Sequence, residues 1–315
     1  MEKLFSMIYY NPFLVSVIKS ERYNQPHLPY NTYRDLYDIM MGRNHTSISV
    51  AWGFLIASPL LFYNPIYFVA LLIGVVLGAV FPDIDAANYK PYDNNKPKKQ
   101  KYDSYDDIDA EGSGGLMILM GLVSYPAMHL TGFLVSKFTP YTKEKLLRHR
   151  ALMHSPLGII ISLLIIFVPV NLILYIIGFW HPAVLVASFG VLLGAIFHLF
   201  EDSCTRTGIN FIYPFRDMGA KRENCIKGNV CTGGGRDNKA GVLFSQIFLY
   251  MGVFFIVYYA ALRKLPQLAP YDFTNGMGVG GLLMITTLMS VVGLTIMIGL
   301  SKTGLFLPPE YKNRK

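Results

Sequence analysis

Residues 154–202, HSPLGIIISLLIIFVPVNLILYIIGFWHPAVLVASFGVLLGAIFHLFED, decide the fold. Two apolar limbs, 157–178 and 183–200, flank the turn Trp180-His181-Pro182. A hydrocarbon core about 30 Å thick is crossed by about 20 apolar residues in a helix, so each limb is long enough to span it. Ser155 and Pro156 read as the N-cap and first residue of the outgoing helix. That leaves His149 and His154 in the loop before it, while His198 and Asp202 close the returning helix, four apart and on one face. A hairpin begins and ends on one side of a bilayer. All four side chains therefore belong to the same membrane face.

A second hairpin precedes this one. Its limbs, 47–63 and 66–81, meet at Asn64-Pro65, with His45 before the first limb and Pro82-Asp83-Ile84-Asp85 ending the second. Two further apolar stretches, 242–262 and 278–300, bring the expected spanning helices to six. With 52% apolar residues, 15% charged residues and a mean hydropathy of +0.36, the whole chain reads as an integral membrane protein. The expected fold is an all-α polytopic bundle built on two helical hairpins, with its polar site at one membrane face. The expected organisation is an amphipathic N-terminal segment (1–44), a metal-site core (45–215), a polar glycine-rich loop (216–241), and two further helices with a basic tail (242–315). Within the core, 86–135 combines an inserted polar loop with a re-entrant segment.

That segment, 115–135, is apolar but interrupted by Gly121, Pro126 and His129. If it crossed the bilayer, the two hairpins would open to opposite faces and the site would be split. Charge discriminates between the cases. Without a crossing, 26 of the 28 Lys and Arg residues share the face of the motifs, and only Arg263 and Lys264 lie opposite. Basic residues accumulate in cytoplasmic loops, so the expectation is a segment that dips or packs internally. The site and both termini are then cytoplasmic. The same rule accounts for the net charge of +8 without nucleic acid, for which no binding module is recognisable. Cys204, Cys225 and Cys231 make no disulfide or zinc-knuckle pattern and read as free thiols.

Ionisable residues at membrane depth call for partners. Asp83 and Asp85 sit at a helix C-terminus, where the macrodipole opposes negative charge and a cation would relieve the conflict. Imidazoles and carboxylates gathered at one face suit zinc or another divalent metal. His45, Asp83, Asp85, His149, His154, His198 and Asp202 are the candidate ligands. Seven are more than one closed tetrahedral site uses. Asp83 or Asp85 is a candidate for orienting water or accepting its proton. Arg150 is a candidate for a phosphate oxygen or a lipid headgroup. Glu201, pointing away from Asp202, is a candidate acid/base residue but reads better as a supporting or surface group.

Three motifs in this order resemble the YdjM-type inner-membrane proteins, described as metal-dependent hydrolases. They are Leu77 through Asp85, His149-Arg150 through His154-Ser155, and His198 through Asp202 with Thr205, Gly208 and Pro214, and His45 matches the histidine before the first hairpin. By more distant analogy the pattern is similar to zinc-dependent phospholipase C. The resemblance implies a cluster of two or three zinc ions, phosphoester hydrolysis and an inner-membrane location; the expected content is one to three ions, zinc or another divalent metal, and the expected substrate a phosphoester such as a phospholipid or isoprenoid phosphate. The alternative is a non-catalytic membrane scaffold or partner-binding protein with a structural metal site.

Overall fold

The computed structural model describes residues 41–88, 114–148, 150–205, 207–218, 224–228, 230, 238–265 and 277–303. The expected N-terminal segment up to residue 40, most of the inserted loop, His149, much of the glycine-rich loop and the basic tail lie outside the described residues. Among the described residues seven long helices carry the architecture: α1 (Met41–Ala57), α2 (Pro65–Val80), α3 (Gly114–Ser136), α4 (Pro156–Ile176), α5 (Pro182–Ser203), α6 (Asn238–Lys264) and α7 (Val279–Leu300). Isolated bridges are the only β pairing among the described residues. The chain is an all-α, multi-pass membrane bundle.

Among the described residues five helices are long and apolar enough to cross a membrane, not six: α2 with the turn after it, α4, α5, α6 and α7. The expected first span is divided. α1 stops at Ala57, and a four-residue helix, Leu60–Tyr63, follows Ser58-Pro59. Proline has no N–H to donate, and its ring disfavours helix in the residue before it. Asn64 then caps α2, its side chain accepting from the amides of Ile66 and Tyr67. At the other hairpin Ser155 caps α4 as expected, and the His181 imidazole caps α5 by accepting from the amide of Ala183.

The interrupted stretch is also different from expectation. α3 is one continuous helix with Pro126 inside it, reaching about 34 Å at 1.5 Å per residue. It lies at the edge of the bundle rather than within it. Ser124, Ala127, Met128, Thr131 and Val135 are buried, while Leu122, Phe133 and Leu134 face outward. Met128 packs with Phe81, Ile84, Met153 and Ile159, and the Thr131 and Ser162 hydroxyls bond at 2.8 Å. Both hairpins still deliver their polar ends to one place.

The contact that brings them together is a glycine crossing between α2 and α5. A Cβ at Gly74 would lie 2.1 Å from the Ala187 carbonyl oxygen, and one at Gly78 would lie 2.2 Å from that of Val191. The reverse holds too: Cβ atoms at Gly190 and Gly194 would meet the carbonyl oxygens of Leu71 and Val75 at 2.5 and 2.3 Å. Four glycines, spaced as GxxxG on each helix, let the two backbones touch. Small residues at this spacing are how membrane helices approach closely when lipid is as apolar as their side chains. Behind α5, Trp52 of α1 stacks on Phe197 at 4.3 Å, and Phe248 of α6 meets Phe197 edge-on at 5.5 Å. This aromatic wedge fixes the rotation of α5 next to His198.

Candidate metal centre

Three separate segments meet at the end of the crossed helices. Asp83 and Asp85 lie on the 3-10 turn Pro82–Asn88 that follows α2. Arg150 and His154 lie in the segment leading to α4, where Leu152–His154 forms another 3-10 turn. His198 and Asp202 occupy the last turns of α5. Gly158 permits the second arrangement, because a Cβ there would sit 1.9 Å from the Leu152 carbonyl oxygen. The His154 turn can therefore fold back on the first turn of α4.

Two imidazoles face the same two carboxylates. His154 Nε2 lies 3.3 Å from Asp83 Oδ1 and 3.3 Å from Asp202 Oδ2. His198 Nε2 lies 3.6 Å from each of the same two oxygens. With metal–ligand distances of about 2.0–2.1 Å, neighbouring ligands of a tetrahedral ion stand about 3.3–3.4 Å apart. The two His154 contacts have that spacing, and the two His198 contacts are slightly longer. Donor atoms of Asp83, His154 and His198 all lie within 4.8 Å of one another, so these three form the compact set and Asp202 closes on the two imidazoles. His154, His198 and Asp202 are buried, whereas the Asp83 side chain keeps 17% of its surface. Access is on the Asp83 side.

The partners behind the imidazoles orient them. His198 Nδ1 donates to the Ala79 carbonyl at 2.7 Å, and His154 Nδ1 donates to Asp85 Oδ2 at 3.1 Å. Each Nδ1–H is thereby fixed, which turns each Nε2 toward the two carboxylates. Asp85 is thus placed differently from Asp83, although both were candidate ligands. It backs His154 and also accepts the Arg150 amide at 3.1 Å. Asp85→Asn should lower metal affinity about 10- to 100-fold while leaving all four facing donors in place. Competition with a fluorescent chelator measures this, and unchanged affinity would count against the role.

Arg150 also departs from expectation. Its guanidinium pairs with Asp202 Oδ1 at 3.1 Å, and the side chain is only 4% exposed. It is engaged with a carboxylate of the site rather than presented to a headgroup at the surface. Its φ of 60° lies in the left-handed region, uncommon for a residue other than glycine. Glu201 is buried too, not at the surface, and accepts from Ser49 Oγ on α1 at 3.1 Å. His45 lies in α1 one turn before Ser49, rather than ahead of the helix; its side chain, like all of His149, falls outside the described residues. Thr205 and Gly208 shape the exit from α5. Thr205 Oγ1 donates to the Asp202 carbonyl, and Gly208, at φ 63°, donates its amide to Thr205 Oγ1.

The charges around His154 set a pH dependence. Burial alone would lower its pKa, but the Asp85 charge, hydrogen bonds to Asp83 and Asp85, and the Asp202 charge hold it at about 10 against a usual 6.5. Without metal His154 is therefore protonated at neutral pH, and a metal ion must displace that proton from Nε2. Apparent metal affinity should rise as pH climbs from 7 towards 10, with a proton released from His154 on binding. Because the folded pKa lies above the unfolded one, the metal-free protein has this stabilisation in full below pH 6.5 and loses it as pH climbs through 10. Metal titrations and thermal unfolding across that range check both statements. A flat affinity profile would contradict them.

The model of the family described as YdjM inner membrane protein matches residues 40–298, which includes every segment that builds the site. No curated protein and no solved structure matches the chain.

Proposed function

The chain belongs to the YdjM inner membrane protein family, and from this premise we propose that it is a membrane-bound, zinc-dependent hydrolase of phosphoesters. The observation that carries the reading is the compact set Asp83, His154 and His198 from three segments, with Asp202 standing 3.3 and 3.6 Å from the two imidazoles and Asp83 partly exposed. His154, His198, Asp83 and Asp202 would hold the ion. A bound zinc ion supplies Lewis acidity towards a phosphoryl oxygen and makes water a stronger acid. The residues do the rest. Asp83 is the partly exposed carboxylate, which suits it to orient a water and accept its proton beside a substrate. Asp85 is sealed behind His154 and serves to hold that imidazole. Arg150 pairs with Asp202 and orients it.

A phospholipid or isoprenoid phosphate is the substrate class favoured by a site at the ends of membrane helices, where a headgroup can reach Asp83 while its chains stay in lipid. Counted with α1 and the Leu60–Tyr63 helix together as a sixth crossing, the Lys and Arg distribution supports a cytoplasmic site and cytoplasmic termini; reporter fusions at each end test that orientation. For the reaction, purified protein is assayed for release of the headgroup or of phosphate from phospholipid vesicles and isoprenoid phosphates. Activity lost on chelation, restored by zinc and absent in His198→Ala is the expected result. A protein that retains zinc but cleaves no phosphoester would overturn it. A second reading has its own observation. Four protein donors are enough to close a tetrahedral structural site, which would make the protein a non-catalytic scaffold. Cobalt substitution separates the two, since only an open site changes its visible spectrum when phosphate is added.

A further inference from the structure

We propose that the centre holds a single divalent ion, and that the Arg150 guanidinium is a built-in cation standing where the second ion of a carboxylate-bridged pair would sit. The inference rests on the metal-site reading above. Asp202 gives one oxygen to the pair of imidazoles and the other to a guanidinium. Oδ2 faces the Nε2 atoms of His154 and His198 at 3.3 and 3.6 Å. Oδ1 faces the Arg150 guanidinium at 3.1 Å. A carboxylate that bridges two metals gives one oxygen to each; here the second oxygen is given to a side chain that cannot leave or lose its charge.

The backbone holds that cation in place. Arg150 bends through φ 60°, and its amide donates to Asp85 Oδ2 at 3.1 Å. One residue therefore meets two carboxylates, Asp85 through its amide and Asp202 through its guanidinium. Charge balance points the same way. Asp83, Asp85 and Asp202 bring three negative charges, the guanidinium cancels one, and one divalent ion cancels the other two. A second divalent ion would leave two positive charges uncompensated, or one with Glu201 ionised. Uncompensated charge is heavily penalised in a buried site. His45 and His149, as neutral ligands, would not alter this balance.

The test uses the full chain in detergent, stripped by chelator and reloaded with Co²⁺, with ions per chain counted by elemental analysis and magnetic coupling read by electron paramagnetic resonance. Wild type and Arg150→Lys, which keeps the charge, should each bind one uncoupled ion. Arg150→Gln should take up a second, weaker ion coupled to the first. Two or more ions in wild type or in Arg150→Lys would overturn the proposal and leave the metal site standing. One ion at unchanged affinity in Arg150→Gln would also overturn it. No bound ion in wild type would remove both this inference and the metal-site reading.

Discussion

Replacing Gly78 by leucine is expected to empty the metal centre without touching a single ligand. Gly78 stands where the backbones of α2 and α5 touch, and even a Cβ there would lie 2.2 Å from the Val191 carbonyl oxygen. That atom belongs to a helix backbone and cannot rotate aside. Overpacking typically costs about 1–3 kcal/mol, and a clash with backbone belongs at or above the top of that range. The helices would separate, carrying Asp83 on one away from His198 and Asp202 on the other. The expected outcome is a lower unfolding temperature in detergent together with loss of bound metal. Gly280→Ala and Gly299→Ala are the controls, since a Cβ at either position meets nothing within 4 Å. Wild-type stability and metal content in Gly78→Leu would contradict the helix crossing described above.

Removing Asp202 should have the second large effect, for two separable reasons. Asp202→Ala deletes a carboxylate that faces both imidazoles, so metal affinity falls. It also strips the ion-pair partner from a guanidinium that is only 4% exposed. Breaking one side of a buried pair costs about 3–5 kcal/mol. The double variant Asp202→Ala/Arg150→Met should recover part of the lost stability while still failing to bind metal normally, because the buried charge is gone but the missing ligand is not. Denaturation of the four proteins in a mutant cycle reads the coupling. Additive effects would show that the pair is not acting as a unit.

The hairpins were legible because their physics is local. Apolar runs of bilayer length, Asn64-Pro65 and Trp180-His181-Pro182 at the turns, and Ser155-Pro156 at a helix start are all signals carried by neighbouring residues. The same logic placed Asp83, His154, His198 and Asp202 at one membrane face. What separated ligand from support was not local. Asp83 and Asp85 differ by two positions in the sequence, yet only the fold places one on the open side and the other behind His154. Arg150 reads equally well as a headgroup contact until Asp202 is placed beside it. Ser49 gave no sign of its bond to Glu201, 152 residues away. One missed signal was available: Gly74-x-x-x-Gly78 and Gly190-x-x-x-Gly194 are membrane-packing motifs lying just before the acidic and histidine clusters. Pro59 likewise marks the break that shortens α1. For α3, Gly121 and Pro126 suggested an interruption, but a proline within a membrane helix need not end it when neighbouring groups satisfy the freed backbone.

The central claim is that His154, His198, Asp83 and Asp202 form a metal site. The most direct measurement is the metal content of the full chain purified without chelator, wild type beside His198→Ala. The account predicts bound divalent metal in wild type and its loss in the variant, with the variant still inserted and folded. A wild type without metal, or a His198→Ala protein that retains its full complement, would contradict it.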